Sequence, residues 1–394
     1  MPCLSKYAKL SVVFAMAALA IPSISNAQHF TQKNLVSDIS QPNNADGSAV
    51  LVDPNLKNPW GLSRSAGSPW WVANNNSGTS TLYSGAGTPQ NFFPDPHPDS
   101  NGNGINSPFN NFVMVPPPGF APGTASTPTG TVFNGSTDFQ VAPGKPALFL
   151  FATEDGTISG WNPGVNATNA ILKVDNSDKG SANSAVYKGL TSGEINGKRF
   201  LYVTNFRSAR VEVYDTNFHR VHLDEDAFDD DSIPRDYAPF NVQNIGGSLF
   251  VTYAKQNADR HDDVAGDGFG FVDIFSPSGK LEGRLQHGAW MNAPWGVVWT
   301  PRDFGEFSNV ILVGNFGSGW IAAFNGFTKK FIGFMRNPDN SLVTIDGLWS
   351  LTFGNNGGAA SSTTLFFSAG INGEQDGLFG TLTPIAAEQD GDEE

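Results

Sequence analysis

The sequence predicts an all-β chain folded as a six-bladed β-propeller, with the last blade closed by a strand from the N-terminus. Three observations carry this. A strand–turn–strand unit recurs six times, an aromatic-marked strand precedes each unit, and one further strand near the N-terminus has no unit of its own. Self-similarity at a period of roughly 50 residues marks a solenoid, propeller or array. Short antiparallel strands within each repeat select the propeller.

The second strand of each unit is the clearest: Trp70–Asn74, Leu148–Glu154, Phe200–Asn205, Leu249–Tyr253, Val310–Asn315 and Thr364–Ser368. A short polar or glycine turn follows each. The third strands are Ser80–Tyr83, Gly156–Trp161, Ala209–Tyr214, Phe271–Phe275, Trp320–Phe324 and Leu378–Leu382. Inner strands begin around Asn58-Pro-Trp60, Ser107-Pro-Phe109, Val186-Tyr187, Ala238-Pro-Phe240, Ala293-Pro-Trp295 and Gly347-Leu-Trp349. Proline is tolerated at the first position of a strand, where no ladder donor is needed. Glycine just after the aromatic suits close approach of backbones at the axis. The aromatics themselves are expected to be buried packing between blades.

Successive aromatics lie 49, 78, 53, 55 and 54 residues apart. The long second interval holds a Pro/Gly/Thr-rich stretch, Pro116 to Thr131, which has no hydrophobic period and is expected as a loop. Outer strands are expected at Ile171–Val174, Leu281–Leu285 and Phe331–Met335. The segment Asn34–Ile39 stands in the same relation to Trp60 but has no blade before it. It is expected to supply the outer strand of blade six, covering an edge otherwise left open.

Lys6 and Lys9 precede an apolar run, Leu10 to Ile21, and Ser25-Asn-Ala27 offers small residues at cleavage positions. Residues 1–27 are therefore expected to be a secretory signal peptide, and the protein periplasmic or extracellular. The run is too short to span a bilayer. Residues 28–385 are expected to form one propeller domain, and 386–394 an acidic, disordered tail. Cys3, the single cysteine, leaves with the signal, so neither a disulfide nor thiol chemistry is expected.

The full chain carries a net charge of −14, and the segment beyond the signal has 21 basic and 37 acidic residues. Nucleic acid and anionic lipid are poor partners for such a surface. Cationic ligands, divalent metals and neutral sugars fit it. A monomer that binds an extracellular protein, glycan or small molecule is expected, with no organic cofactor.

Several phrases carry a family resemblance: Ala152-Thr-Glu-Asp-Gly-Thr-Ile-Ser-Gly-Trp161, Tyr237-Ala-Pro-Phe-Asn-Val-Gln-Asn-Ile-Gly-Gly247, Ala293-Pro-Trp-Gly-Val297, Leu312-Val-Gly-Asn-Phe-Gly317 and Ile345-Asp-Gly-Leu-Trp349. They resemble an uncharacterised family of exported bacterial β-propellers, some members of which end in a PEP-type C-terminal sorting anchor. The resemblance covers nearly all of the chain beyond the signal. It implies fold and export and no known reaction; the acidic C-terminus here lacks the anchor. At a greater distance the repeat is similar to NHL-repeat and gluconolactonase-like propellers.

In a propeller, inner strands start on the face where second strands end, so two sets of polar residues meet there. Asn58, Asn106, Asn292 and Asp346 lie at inner-strand entrances; Asn74, Glu154, Asn205 and Asn315 at second-strand exits. Such oxygens suit Ca²⁺ or another divalent cation, and in gluconolactonase-like propellers a similar set holds an ion that polarises a carbonyl. Glu154, Asn205, Asn315 and Asp346 are the ligands this implies; Asn and Asp bonding their own turns is the alternative. A second candidate is Asp99-Ser-Asn101-Gly-Asn103-Gly104, which matches the first half of a calcium loop but has Asn110 where a bidentate Glu belongs. His261-Asp-Asp263 sets an imidazole beside two carboxylates, and a solvated loop explains it equally. The sequence has no nucleophile elbow, no Cys/His cluster and no phosphate loop. Two functions follow: a binding module using one propeller face, or a divalent-metal-dependent hydrolase with the ion at the channel mouth.

Overall fold

A computed structural model describes residues 29–91, 109–120, 124–178 and 181–385. The segments expected as signal peptide and acidic tail lie outside these residues, as do Asp99, Asn101, Asn103 and Asn106. The described chain forms six small antiparallel sheets of four or five strands, plus a two-stranded hairpin. It is a six-bladed propeller, as the repeat predicts.

The inner strands are Pro59–Ser63, Pro128–Phe133, Tyr187–Ile195, Tyr237–Ile245, Pro294–Trp299 and Leu348–Phe353. In every blade but the last, the strand order from axis to rim is the order in sequence. In blade six Phe30–Ser37 pairs antiparallel with Leu378–Pro384, so the N-terminal strand closes the ring. Leu51–Val52 adds a fifth, parallel strand outside it.

Blade two departs from the sequence reading. Its inner strand is Pro128–Phe133, which begins within the stretch expected as a loop and runs past its end. The Phe109 region instead leads into Phe112–Met114, which pairs with Thr79–Thr81 as the outer strand of blade one. The aromatic marker failed because the corresponding residue of blade two is Thr129.

A register break sits at the entrance of all six inner strands. Such a bulge re-aims a side chain. The residues at the breaks are Trp60, Thr129, Lys188, Phe240, Trp295 and Trp349. In blade three the aromatic marker Tyr187 is thus one residue off, and Lys188 takes the equivalent place.

Trp60, Phe240, Trp295 and Trp349 are buried, as expected, but they fill the axis itself rather than the seams between blades. Trp60 stacks on Trp349 with centroids 3.5 Å apart, and Trp295 meets both edge-on at 6.1 and 5.9 Å. The following glycines let the inner strands close around this plug. A Cβ on Gly61 would come within 2.5 Å of the Thr129 carbonyl oxygen, and one on Gly296 within 2.6 Å of that of Trp349.

Candidate functional site

The mouth lies where inner strands open and second strands end: Pro59 faces Asn74, Tyr187 faces Asn205 and Pro294 faces Asn315 across their ladders. Lys188 stands at its centre. The Lys188 side chain is 2% exposed, and its ammonium ion-pairs with Glu154 and lies 3.6 Å from Asp262. It also sits over the Trp60 and Phe206 rings, 5.1 and 5.7 Å from their centroids. Burial alone would drive this lysine down, but Glu154 beside it more than offsets that and holds it above its ordinary value.

Four carboxylates surround this one cation: Glu154, Asp262, Asp263 and Glu374. Glu154 comes from the turn after the second strand of blade two and takes a hydrogen bond from Asn75 Nδ2 at 2.7 Å. Asp262 and Asp263 come from the long connection between the second and third strands of blade four. His261 Nδ1 lies 2.7 Å from Asp262 Oδ1, and that bond lowers the pKa of Asp262. Burial pushes Asp263 up to about 7, with Lys188 opposing and Glu374 and Asp262 adding to the rise. Glu374 is also raised, by burial first, with the Asn58 hydrogen bond opposing and Glu154 adding.

Glu374 is delivered by a strained turn in blade six. Asn372, Gly373 and Glu374 all have positive φ, with Glu374 at 65°. A left-handed residue other than glycine costs on the order of 1–2 kcal/mol, and such outliers collect at functional sites. Asn58 Nδ2 donates to Glu374 Oε2 at 2.9 Å, while Asn58 Oδ1 accepts from Trp349 Nε1 at 3.0 Å. The acidic rim is thereby tied to the aromatic plug.

Of the four residues expected as ligands, Glu154 lies in this cluster. Asn205 Oδ1 accepts the Val186 backbone N–H, and Asn315 Oδ1 that of Asn292. Asp346 Oδ2 accepts the Asn372 N–H at 2.8 Å. Each of these three bonds ties a strand-end side chain to a backbone N–H elsewhere in its own blade. Among the described residues, the group of His, Asp and Glu whose ligand atoms all lie within 4.8 Å of one another is Glu154, His261 and Asp262. Sequence reasoning singled out the His261-Asp-Asp263 phrase but could not bring it to Glu154, more than a hundred residues away. Lys188 and Glu374 were missed. For Lys188 the available signal was its place in the repeat, one residue before Gly189, where other blades carry an aromatic.

No family model matches the chain. Among curated proteins it is 30% identical over 350 residues to Uncharacterized protein R648 of Acanthamoeba polyphaga mimivirus, an alignment covering 86% of this chain and 78% of that protein. The chain belongs to the same family as this viral protein. A second member from the same virus, Uncharacterized protein L690, is 27% identical and is covered over 82% of its length, against 85% of this chain. Among solved structures, a structural genomics protein of unknown function from Bacteroides thetaiotaomicron aligns with a TM-score of 0.50 at 10% identity, covering 91% of this chain and 76% of that one. That likeness speaks for the propeller fold. A streptogramin B lyase also aligns, at TM-score 0.43 and 13% identity, over 91% of this chain and 98% of its own. Among the described residues no helix is long and apolar enough to cross a membrane.

Proposed function

We propose that the protein is a ligand-binding propeller and that its axial mouth takes a cationic ligand, an ammonium or guanidinium group. One observation carries this reading: four carboxylates meet around a single lysine, and two of them, Asp263 and Glu374, are raised by burial, with the neighbouring carboxylates adding to the rise. Lys188 already satisfies Glu154 and Asp262. A ligand cation would neutralise the other pair, and the net negative charge of the protein would concentrate cations at the mouth. The aromatic plug beneath makes the site a rigid cup, which limits the ordering cost of binding.

The test is thermal unfolding and calorimetric titration with arginine amide, benzylamine, CaCl₂ and MnCl₂, on wild type and on Asp263→Asn plus Glu374→Gln. An organic cation is expected to raise the wild-type midpoint by mass action, by about 2.7 kcal/mol of stability at a hundredfold excess over its dissociation constant. The double variant should lose that response. No response to any of the four probes at millimolar concentration would end this reading.

A second reading rests on the Glu154, His261 and Asp262 group. These residues could hold a divalent cation, which would supply Lewis acidity for a hydrolase. Lys188 works against it, because its ammonium ion-pairs with Glu154 and lies 3.6 Å from Asp262, two of the three ligands. In the same titrations, binding of Mn²⁺ or Ca²⁺ alone, abolished by His261→Ala, would favour this reading over the first. We propose, too, that the protein is exported, on the strength of Lys6, Lys9 and the apolar run after them. Recovery of a protein beginning near Gln28 from the periplasm or medium tests it.

A further inference from the structure

On the face opposite the mouth, a groove of about 630 Å³ opens between blades four and five. The strand ends place it there. Ile245 closes the inner strand of blade four, Ser248 opens its second strand, and Trp299 closes the inner strand of blade five. Phe250 and Ile274, both buried, form the floor, with Ile245 and Trp299 half-buried beside them. Phe327, 84% exposed, stands edge-on to Trp299 at 6.5 Å between centroids and extends the apolar wall. The volume falls in the range of small-molecule sites, roughly 300–1,000 Å³.

The two charged residues of the groove differ. Glu282 is exposed and accepts the Ser248 hydroxyl at 3.0 Å, so water and that hydroxyl satisfy it. Lys329 is half-buried and donates to the Gly326 carbonyl. Among the described residues no carboxylate reaches ion-pair distance of Lys329, whereas Lys188 has two and Lys255 has one. Burial accordingly lowers its pKa. An ammonium has three donors, and one carbonyl leaves the others free. A partly desolvated ammonium with free donors favours an anionic partner.

We infer that this groove binds a small apolar carboxylate, of the class of medium-chain fatty acids and arylalkanoates. Its carboxylate pairs with Lys329 and its apolar part lies on Phe250, Ile274 and Trp299. The site is independent of the mouth.

The test is calorimetric titration of the full chain with decanoate, decanol and decyltrimethylammonium, each kept below its micelle concentration. Decanoate is expected to bind about tenfold or more tightly than decanol, the difference being the ion pair. Lys329→Met and Lys329→Gln should erase that preference while leaving decanol binding in place, and Trp299→Phe should weaken both ligands. Asp263→Asn at the mouth should change neither. Equal binding of decanoate and decanol, an unchanged decanoate affinity in both Lys329 variants, or no binding of decanoate would overturn the inference. Tighter binding of the ammonium would move recognition to Glu282 and overturn it as well.

Discussion

Lys188 and Glu154 form an ion pair at the propeller axis, joining an inner strand of blade three to the turn that ends the second strand of blade two. Lys188 takes a place that aromatics hold in four other blades, so a charge sits where the repeat otherwise puts packing. The pair is nearly buried, with side-chain exposures of 2% and 10%. Removing one partner of such a pair leaves an uncompensated charge, which costs about 3–5 kcal/mol. Glu154→Gln or Lys188→Met alone should therefore lower stability by that order in urea denaturation, and the double replacement should cost clearly less than the two single losses added. Additive losses would show that the two groups are not coupled.

Asp263 gives the mouth a pH dependence. Its folded pKa is about 7, above the ordinary value of 3.8. Between these values the folded state keeps a proton that the unfolded chain has released, so stability falls as pH rises through that window. Asp263→Asn removes the cost. The variant should match wild type near pH 4 and exceed it progressively up to pH 8, by on the order of 1–2 kcal/mol after solvent screening. Melting curves across that range check it, and a difference constant with pH would count against the raised carboxyl.

The axial plug should be one of the most sensitive parts of the core. Trp60 and Trp349 are fully buried and stacked on each other. Trp349→Ala removes that ring, opens the hydrogen bond to Asn58 and loosens the support of Glu374. A loss of about 3–5 kcal/mol is expected in chemical denaturation, together with weaker cation binding at the mouth.

Gly296→Ala should be disproportionately costly for one methyl group. The added Cβ meets the Trp349 carbonyl oxygen at 2.6 Å and the Leu351 nitrogen at 2.9 Å, both backbone atoms of the neighbouring blade. Overpacking of this kind costs typically about 1–3 kcal/mol. Gly283→Ala, with nothing within 4 Å of its Cβ, is the control and should be close to neutral.

Closure by the N-terminal strand can be removed. Deleting residues 29–38 takes away the partner of Leu378–Pro384 and bares its backbone edge. Edges of this length template aggregation. The truncated chain should melt at a markedly lower temperature and associate on concentration in light scattering, and an unchanged melting curve would argue against closure.

The sequence by itself determined the blade count and the closing strand. These are local patterns: second strands such as Val310–Asn315 repeat a hydrophobic run and an end signal that any blade needs. It misplaced the inner strand of blade two, because Thr129 offers no aromatic marker, and it read Tyr187 where the bulge selects Lys188. Only the tertiary structure decided what the mouth contains. Glu154, Lys188, Asp262, Asp263 and Glu374 come from four blades, and each is an ordinary loop or strand-end residue in its own segment. Ring closure brings them together at the mouth, and burial there raises Asp263 and Glu374, an effect that depends on neighbours distant in sequence. The asparagines expected as ligands belong to the opposite case: Asn205 and Asn315 bond backbone N–H groups of their own blades, so their roles are set locally.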